Sequence, residues 1–281
     1  MISGLMAANR KPMSRFANPA LVPVRTSLAA RPAGAGAHLV APPLLPVLIV
    51  LHQEASTPGR VGNALRCLGY PLDIRRPRFG DALPKTLSAH AGAVIFGGPM
   101  SANDRDDYVR REIDWIAVPL REQRPFLGIC LGAQMLAMQL GARVAPHAQG
   151  RVEMGYYPIR PTPAGLQTCP RWPDQVYHWH REGFELPSGC ELLAEGDDFP
   201  VQAIRAGHAF GLQFHPDVTY AMMCRWTTCG AERLDTPGAH PRHQHFAERA
   251  CHDVAERAWL KHFLDGWLSC VPEVAMAEAA E

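Results

Sequence analysis

The chain has 281 residues, 47% hydrophobic and 20% charged, with a formal net charge of +1. This is the profile of a globular protein able to bury a real core, and the length suits one compact domain plus an extension. The near-neutral charge excludes an overall electrostatic attraction for nucleic acid or anionic membrane, and no run of about 18 apolar residues marks a transmembrane helix.

Residues 1–46 contain no Asp or Glu, several basic residues and seven prolines, with Gly34 and Gly36 close together. Such a segment buries too little to offset its chain entropy, and is expected to be a disordered extension. Its acid-free, Arg-containing composition also fits a targeting peptide, but it lacks a clear amphipathic helix. The ordered domain is expected over residues 47–270, with a tail over 271–281.

Val47 to Leu51 is a short continuous apolar run, the pattern of a strand covered on both faces. A helix is expected from Gly59 to Leu68, stopped by Gly69, and then a short extended segment holding Leu72 and Ile74. Ala93 to Phe96 is the next buried strand and runs directly into Gly97-Gly98-Pro99. From Asp106 to Gln123, Val109, Ile113, Ile116 and Leu120 recur at helical spacing, and Pro119 is expected to kink or shorten that helix. Pro125 to Ile129 is a further strand, and Leu131 to Leu140 a helix closed by Gly141. Strands alternating with helices imply a parallel sheet with right-handed crossovers. Beyond Val144 the pattern changes. Residues 152–159, 176–179, 192–193, 201–204 and 210–214 read as strands with little helix between them, a mixed or antiparallel part, before a helix from His243 to Leu268 that covers one face.

Gly128-Ile129-Cys130-Leu131-Gly132 lies between an expected strand and an expected helix. It is the cysteine counterpart of the Gly-x-Ser-x-Gly nucleophile elbow: a sharp turn lifts the nucleophile out of the backbone, and the glycines let neighbouring chain approach. The helix start favours a thiolate, and the Leu131 amide can point at a developing oxyanion. Gly98, in the tight turn after the neighbouring strand, is the candidate second donor. An isolated motif of this kind is equally compatible with a buried structural cysteine.

Gly211-Leu-Gln-Phe-His215-Pro-Asp217 ends an apolar strand at a proline. His215 can face the same crevice as the elbow, and Asp217 can turn back to fix its tautomer. Taken alone, these residues are better read as a surface His-Pro-Asp turn without chemistry, because Asp after Pro is common turn material.

Together, Phe96-Gly-Gly-Pro-Met-Ser101, Gly128-Ile-Cys-Leu-Gly-Ala-Gln134 and Gln213-Phe-His-Pro-Asp217 occur in the order and approximate spacing of the class I glutamine amidotransferases. The chain resembles that family over roughly Val47 to Asp217, and is similar to the stand-alone glutaminase domain and to that of GMP synthase. The resemblance implies a flavodoxin-like α/β fold of three layers, a central mostly parallel sheet flanked by helices, plus a smaller mixed or antiparallel sheet. It implies Cys130 as nucleophile forming a γ-glutamyl thioester, His215 as base, Gly98 and Leu131 at the oxyanion-hole positions and Gln134 lining the glutamine pocket. The family usually has Glu where this chain has Asp217, so either the backbone moves closer to the imidazole or another acid orients it. No cofactor is implied. The expected substrate is glutamine or a γ-glutamyl compound, and a separate synthase subunit is a possible partner, since there is no phosphate-binding loop and no room after residue 217 for a synthetase domain. An independent γ-glutamyl peptide hydrolase and a catalytically idle binding protein are the alternatives.

Tyr177-His-Trp-His180 before Phe184-Glu-Leu-Pro187 resembles a loop near the family's substrate entrance, though paired histidines on one strand are more often structural. Cys224 and Cys229 with His240, His243 and His245 match no common zinc-finger spacing, and no metal site is expected. Arg75, Arg76 and Arg78 read as a solvated basic loop. The eight cysteines are irregularly spaced, and reduced thiols in a cytoplasmic enzyme are expected.

Overall fold

The computed structural model describes residues 43–269. The tail expected over 271–281 lies outside the described residues, as does the disordered extension expected over 1–46 except for residues 43–46, which carry no regular structure.

In chain order the elements are β1 (Val47–Val50), α1 (Gly59–Cys67), β2 (Leu72–Arg75), β3 (Gly92–Ile95), α2 (Asp107–Trp115), α3 (Ala117–Arg121), β4 (Phe126–Ile129), α4 (Leu131–Gln139), β5 (Val144–Pro146), β6 (Glu153–Pro158), β7 (Arg160–Pro161), α5 (Pro163–Thr168), β8 (Gln175–His180), β9 (Glu182–Phe184), β10 (Glu191–Glu195), β11 (Ala203–Ala206), β12 (Ala209–Leu212), α6 (Tyr220–Cys229) and α7 (Arg242–Ser269). The main sheet runs β2-β1-β3-β4-β12-β11-β10-β7. The first five strands are parallel, and β11, β10 and β7 extend the sheet antiparallel. An order of 2-1-3-4 followed by one more parallel strand is the flavodoxin-like arrangement.

The apolar runs of β1, β3 and β4 are continuous because both faces are covered. Val47 and Ile49 point into one core with Val61 and Leu65 of α1 and Trp259, Leu260, Phe263, Leu264 and Trp267 of α7. Leu48 and Val50 point into the other, with Val109 and Ile113 of α2 and Leu131 and Leu136 of α4. Helix α4 is buried along most of its length, so nothing on it has a solvent face until its last turn.

The helix expected over Asp106 to Gln123 is divided into α2 and α3. Pro119 has no N–H to give the carbonyl of Trp115, and α2 ends at that residue. The late strands separate differently from the expectation of one small sheet. β12, β11, β10 and β7 join the main sheet, while β6 pairs with β8 and β5 with β9 as two small antiparallel ribbons. Two helices were not expected. Helix α5 starts on Thr162, whose side chain accepts from Gly165 N–H, with Pro163 at its first position. Helix α6 starts on Thr219, which accepts from Met222 N–H, and packs Met222 and Met223 against Tyr156 and Tyr177 of the β6–β8 ribbon.

Candidate active site

Parallel strands in such a sheet present their carboxyl ends to one crevice, where ligands bind. Here β1 is followed by His52, β3 by Gly97 and Gly98, β4 by Cys130 and β12 by His215. Four segments far apart in sequence therefore meet at one edge, in a cleft of about 900 Å³.

Cys130 stands between β4 and α4 with φ 51° and ψ −105°, a left-handed conformation costly for a residue with a Cβ. Its N–H donates to Leu212 O at 2.7 Å, and its carbonyl accepts from Ala133 and Gln134 N–H at 3.0 Å, which holds the turn. The flanking glycines are sterically required. A Cβ on Gly128 would sit 2.4 Å from Gly132 O, and one on Gly132 would sit 2.1 Å from Ile95 O. Both obstacles are backbone atoms, so no rotamer change relieves them. Neither the Leu131 N–H, at the first position of α4, nor the Gly98 N–H has a backbone acceptor among the described residues.

His215 is buried and fixed on several sides. Its N–H donates to Tyr177 O at 2.7 Å, its Nδ1 lies 3.1 Å from Asp217 Oδ1, and Trp226 of α6 stands edge-on to the ring with centroids 4.9 Å apart. Burial alone lowers the basicity of this imidazole. The charges of Cys130 and Asp217, and hydrogen bonds to both, outweigh that effect and raise its pKa to about 10. The shorter Asp217 does reach the ring, and the turn carrying it is tied to the start of α1, where Arg60 N–H donates to Asp217 O at 2.8 Å. Gly97 completes the enclosure, its Cα facing the ring so closely that a Cβ would meet His215 Cε1 at 2.6 Å.

The structure thus brings Cys130, His215, Asp217, Gly98 and Leu131 together. Gln134, one turn into α4, also lines the cleft, with its amide Nε2 donating to Glu182 O at 2.8 Å and Gln213 Oε1 at 3.3 Å. His180 reaches the cleft wall but belongs to a hydrogen-bonded chain: His178 Nδ1 to His180 Nε2 at 3.1 Å, and His180 Nδ1 to Glu182 O at 3.0 Å. With Glu153, these two histidines are the one group among the described residues with the donor types of a metal site. Burial pushes His178 down to about 3, Glu153 Oε2 lies 2.9 Å from His180 Nε2 and 3.2 Å from His178 Nδ1, and His178 Nε2 has no hydrogen-bond partner among the described residues. Cys224, Cys229, His240, His243 and His245 form no such group. His245 is instead engaged by Tyr177 Oη at 3.0 Å and His240 O at 2.9 Å.

Several neighbours of the site were not singled out from sequence. Trp226 was missed with its helix. His52 and Glu112, a buried pair behind the Gly97-Gly98 turn, sit 60 residues apart and carry no local pattern. The only available signal was a histidine directly after an apolar strand, the same cue that marked His215.

The sequence matches the family model described as Glutamine amidotransferase class-I over residues 53–223. It is 31% identical, over 62% of this chain and 76% of the relative, to the glutamine amidotransferase-like protein YfeJ of Salmonella typhimurium. It is 28% identical to the glutamine-hydrolyzing GMP synthase of Porphyromonas gingivalis, covering 76% of this chain but only 41% of that enzyme. Among solved structures it is similar to a glutamine amidotransferase from Thermotoga maritima, with a TM-score of 0.72 and 28% identity over 80% of this chain and 98% of that one.

Proposed function

We propose, from the premise that this chain belongs to the class I glutamine amidotransferase family, that it hydrolyses the side-chain amide of glutamine to glutamate and ammonia. The observation that carries this reading is Cys130, held in a strained elbow beside an imidazole whose positive form is favoured by Cys130 and Asp217.

The steps follow from that geometry. His215 takes the thiol proton, and Cys130 Sγ adds to the amide carbonyl. The oxyanion that forms accepts hydrogen bonds from the N–H groups of Gly98 and Leu131. His215 gives its proton to the departing nitrogen, ammonia leaves, and a γ-glutamyl thioester remains on Cys130. His215 then takes a proton from water, the hydroxide displaces the thiolate, and glutamate is released. Asp217 keeps Nδ1 of the imidazole occupied so that Nε2 faces the sulfur. Gln134 shapes the pocket wall that receives the substrate. These steps use no cofactor.

The same machinery would cleave a γ-glutamyl peptide, and one observation favours that second reading. The cleft, about 900 Å³, is at the upper end of the roughly 300–1,000 Å³ typical of small-molecule sites, and it is lined by Arg78, Arg181 and Arg225. Free glutamine needs little of this space, whereas a peptide leaving group with a terminal carboxylate would use both the room and the charge. If glutamine is the substrate, the ammonia acceptor lies on a separate synthase. The chain spans less than half the length of its GMP synthase relative. The described cysteines are all free thiols. Among the described residues no helix is long and apolar enough to cross a membrane.

The test is steady-state glutamate release from glutamine and from γ-glutamyl peptides by wild type and Cys130→Ala. Turnover that depends on Cys130 supports the reading, and the preferred substrate chooses between its two forms. Turnover that survives Cys130→Ala at the wild-type rate overturns it. Absence of turnover from both substrates favours a protein that needs a synthase partner to act, or an idle binding protein.

A further inference from the structure

We infer that His52 and Glu112 are positioning residues that set the orientation of the Gly97–Gly98 peptide, and with it the direction of the Gly98 N–H. The chemical meaning of this inference rests on the hydrolytic reading above, in which that N–H meets an oxyanion. The geometry behind it does not.

His52 directly follows the last core residue after β1, and neither its side chain nor that of Glu112 on α2 is exposed to solvent. Nδ1 of His52 is 3.2 Å from Gly97 O, and Nε2 is 2.7 Å from Glu112 Oε2. A carbonyl oxygen can only accept, so Nδ1 carries a proton and donates to it. The Nε2–Oε2 contact holds one further proton between its two atoms. The Gly97 carbonyl and the Gly98 N–H belong to one planar trans peptide, and in such a unit they point in opposite directions. Pulling the carbonyl back onto His52 therefore turns the Gly98 N–H forward, away from the core. Gly98 is packed to match, since a Cβ there would lie 3.1 Å from both His52 Nδ1 and Leu131 Cδ2. It sits between the anchor and the residue that carries the other candidate donor.

A second observation separates this from ordinary core packing. Glu112 Oε1 is buried without a hydrogen-bond partner among the described residues. A half-satisfied buried carboxylate is a poor way to join a helix to a sheet, and an apolar side chain would hold α2 there at less cost. The pair makes sense as a fixed support for one peptide group: Glu112 locks the ring, and the ring locks the carbonyl.

The test uses the full chain with His52→Asn, His52→Gln and His52→Leu. The Asn amide reproduces the position of Nδ1, the Gln amide that of Nε2, and Leu neither. The readouts are kcat and KM for glutamine and for a γ-glutamyl peptide, the rate at which iodoacetamide alkylates Cys130, the melting temperature, and a crystal structure of the Leu or Gln variant. Alkylation at a methylene carbon forms no oxyanion, so it reports on the sulfur and imidazole alone. Loss of one oxyanion donor costs about 10²–10³ in kcat. The expected result is a fall in kcat approaching about 10²-fold for Leu and Gln, with KM and alkylation rate within about twofold of wild type and the Gly97–Gly98 peptide rotated. Asn should recover to within about tenfold. Equal loss in Asn and Gln, a parallel fall in alkylation, or an unrotated peptide in the Leu or Gln variant overturns the inference. Should His52→Leu fail to fold, the Asn–Gln comparison decides. If wild type alone hydrolyses neither amide, the kinetic readouts fall away with unaided hydrolysis, and the peptide's orientation in the variant structure still settles the anchoring role.

Discussion

Replacing Gly97 with alanine adds one methyl group at the most crowded point of the site. The new Cβ would lie 2.6 Å from His215 Cε1, and 3.4 Å from both His215 Nε2 and Cys130 Cβ. Ordinary carbon contacts begin near about 3.5 Å, so about 0.9 Å of separation has to be created. The imidazole has little freedom to supply it, being tied to Tyr177 O through its backbone, to Asp217 through Nδ1, and faced by Trp226. The Gly97 carbonyl is held by His52 on the other side. Overpacking of this kind costs about 1–3 kcal/mol, which for a domain of this size lowers the melting temperature by roughly 2–12 °C. A displacement approaching 1 Å between base and nucleophile costs about 10² in rate. Gly97→Ala is therefore expected to fold, to melt a few degrees lower, and to lose about 10²-fold in kcat for glutamate release. The pH dependence of Cys130 alkylation should change as well, because the imidazole no longer sits where it did. Wild-type kcat together with an unchanged alkylation profile in the alanine variant would refute the claim that this contact sets the distance between Cys130 and His215.

Asp217→Asn leaves the shape of the turn but removes a charge from beside His215, and kcat for glutamate release should drop by about 10²-fold or more, as a base without its orienting carboxylate does. A loss below about threefold would mean that another group orients the ring. In a histidine NMR titration the His215 midpoint should lie near 10 in wild type and fall in Cys130→Ala, where burial is opposed by one partner fewer; an unchanged midpoint contradicts the assigned cause. Gly132→Ala forces a Cβ to 2.1 Å from the Ile95 carbonyl and should destabilise the fold by about 3 kcal/mol or more, read as a lowered urea midpoint; a stable variant would mean the elbow is looser than its geometry. Burial raises the Glu256 carboxyl to about 7, against the opposing pull of Arg60 and the Tyr177 N–H. The folded protein then holds a proton that the unfolded chain releases above about pH 4.5. The stability this proton confers is present below that pH and lost as pH rises through 7, by about 3 kcal/mol at most. Urea titrations at pH 5 and pH 8 should show this loss in wild type and not in Glu256→Gln, and identical slopes for the two proteins would count against it.

Much of the site was legible because its chemistry is written in local patterns. Strand, turn and helix around Cys130 follow from an apolar run, two glycines and a second apolar segment, and the clash distances give the reason that no other residue fits at 128 and 132. The same holds for the parallel half of the sheet, where buried strands announce themselves as unbroken apolar runs between helices. Where the signal was weak, the reading slipped. Helix α6 is rich in Thr, Trp and Tyr and lacks a clean apolar stripe, so its cap at Thr219 was the only cue, and the ring that faces His215 was lost with it. The late strands were recognised individually, but their partition between the main sheet and two small ribbons depends on pairings between distant segments that no window of sequence contains.

Residue types and their order were enough for the family, for the identity of Cys130 and His215 as candidates, and for the doubt over Asp217. Distances were not. That Asp217 reaches the imidazole despite its shorter side chain is visible only in the folded chain, where its carbonyl is also held against α1 by Arg60, a contact spanning 157 positions. That His52 and Glu112 stand behind the Gly97–Gly98 peptide follows from β1, β3 and α2 packing together. Local pattern is set by neighbours along the chain, whereas the charge, burial and spacing of a site are set by neighbours across it, and those exist only once the sheet has brought its carboxyl ends to one edge.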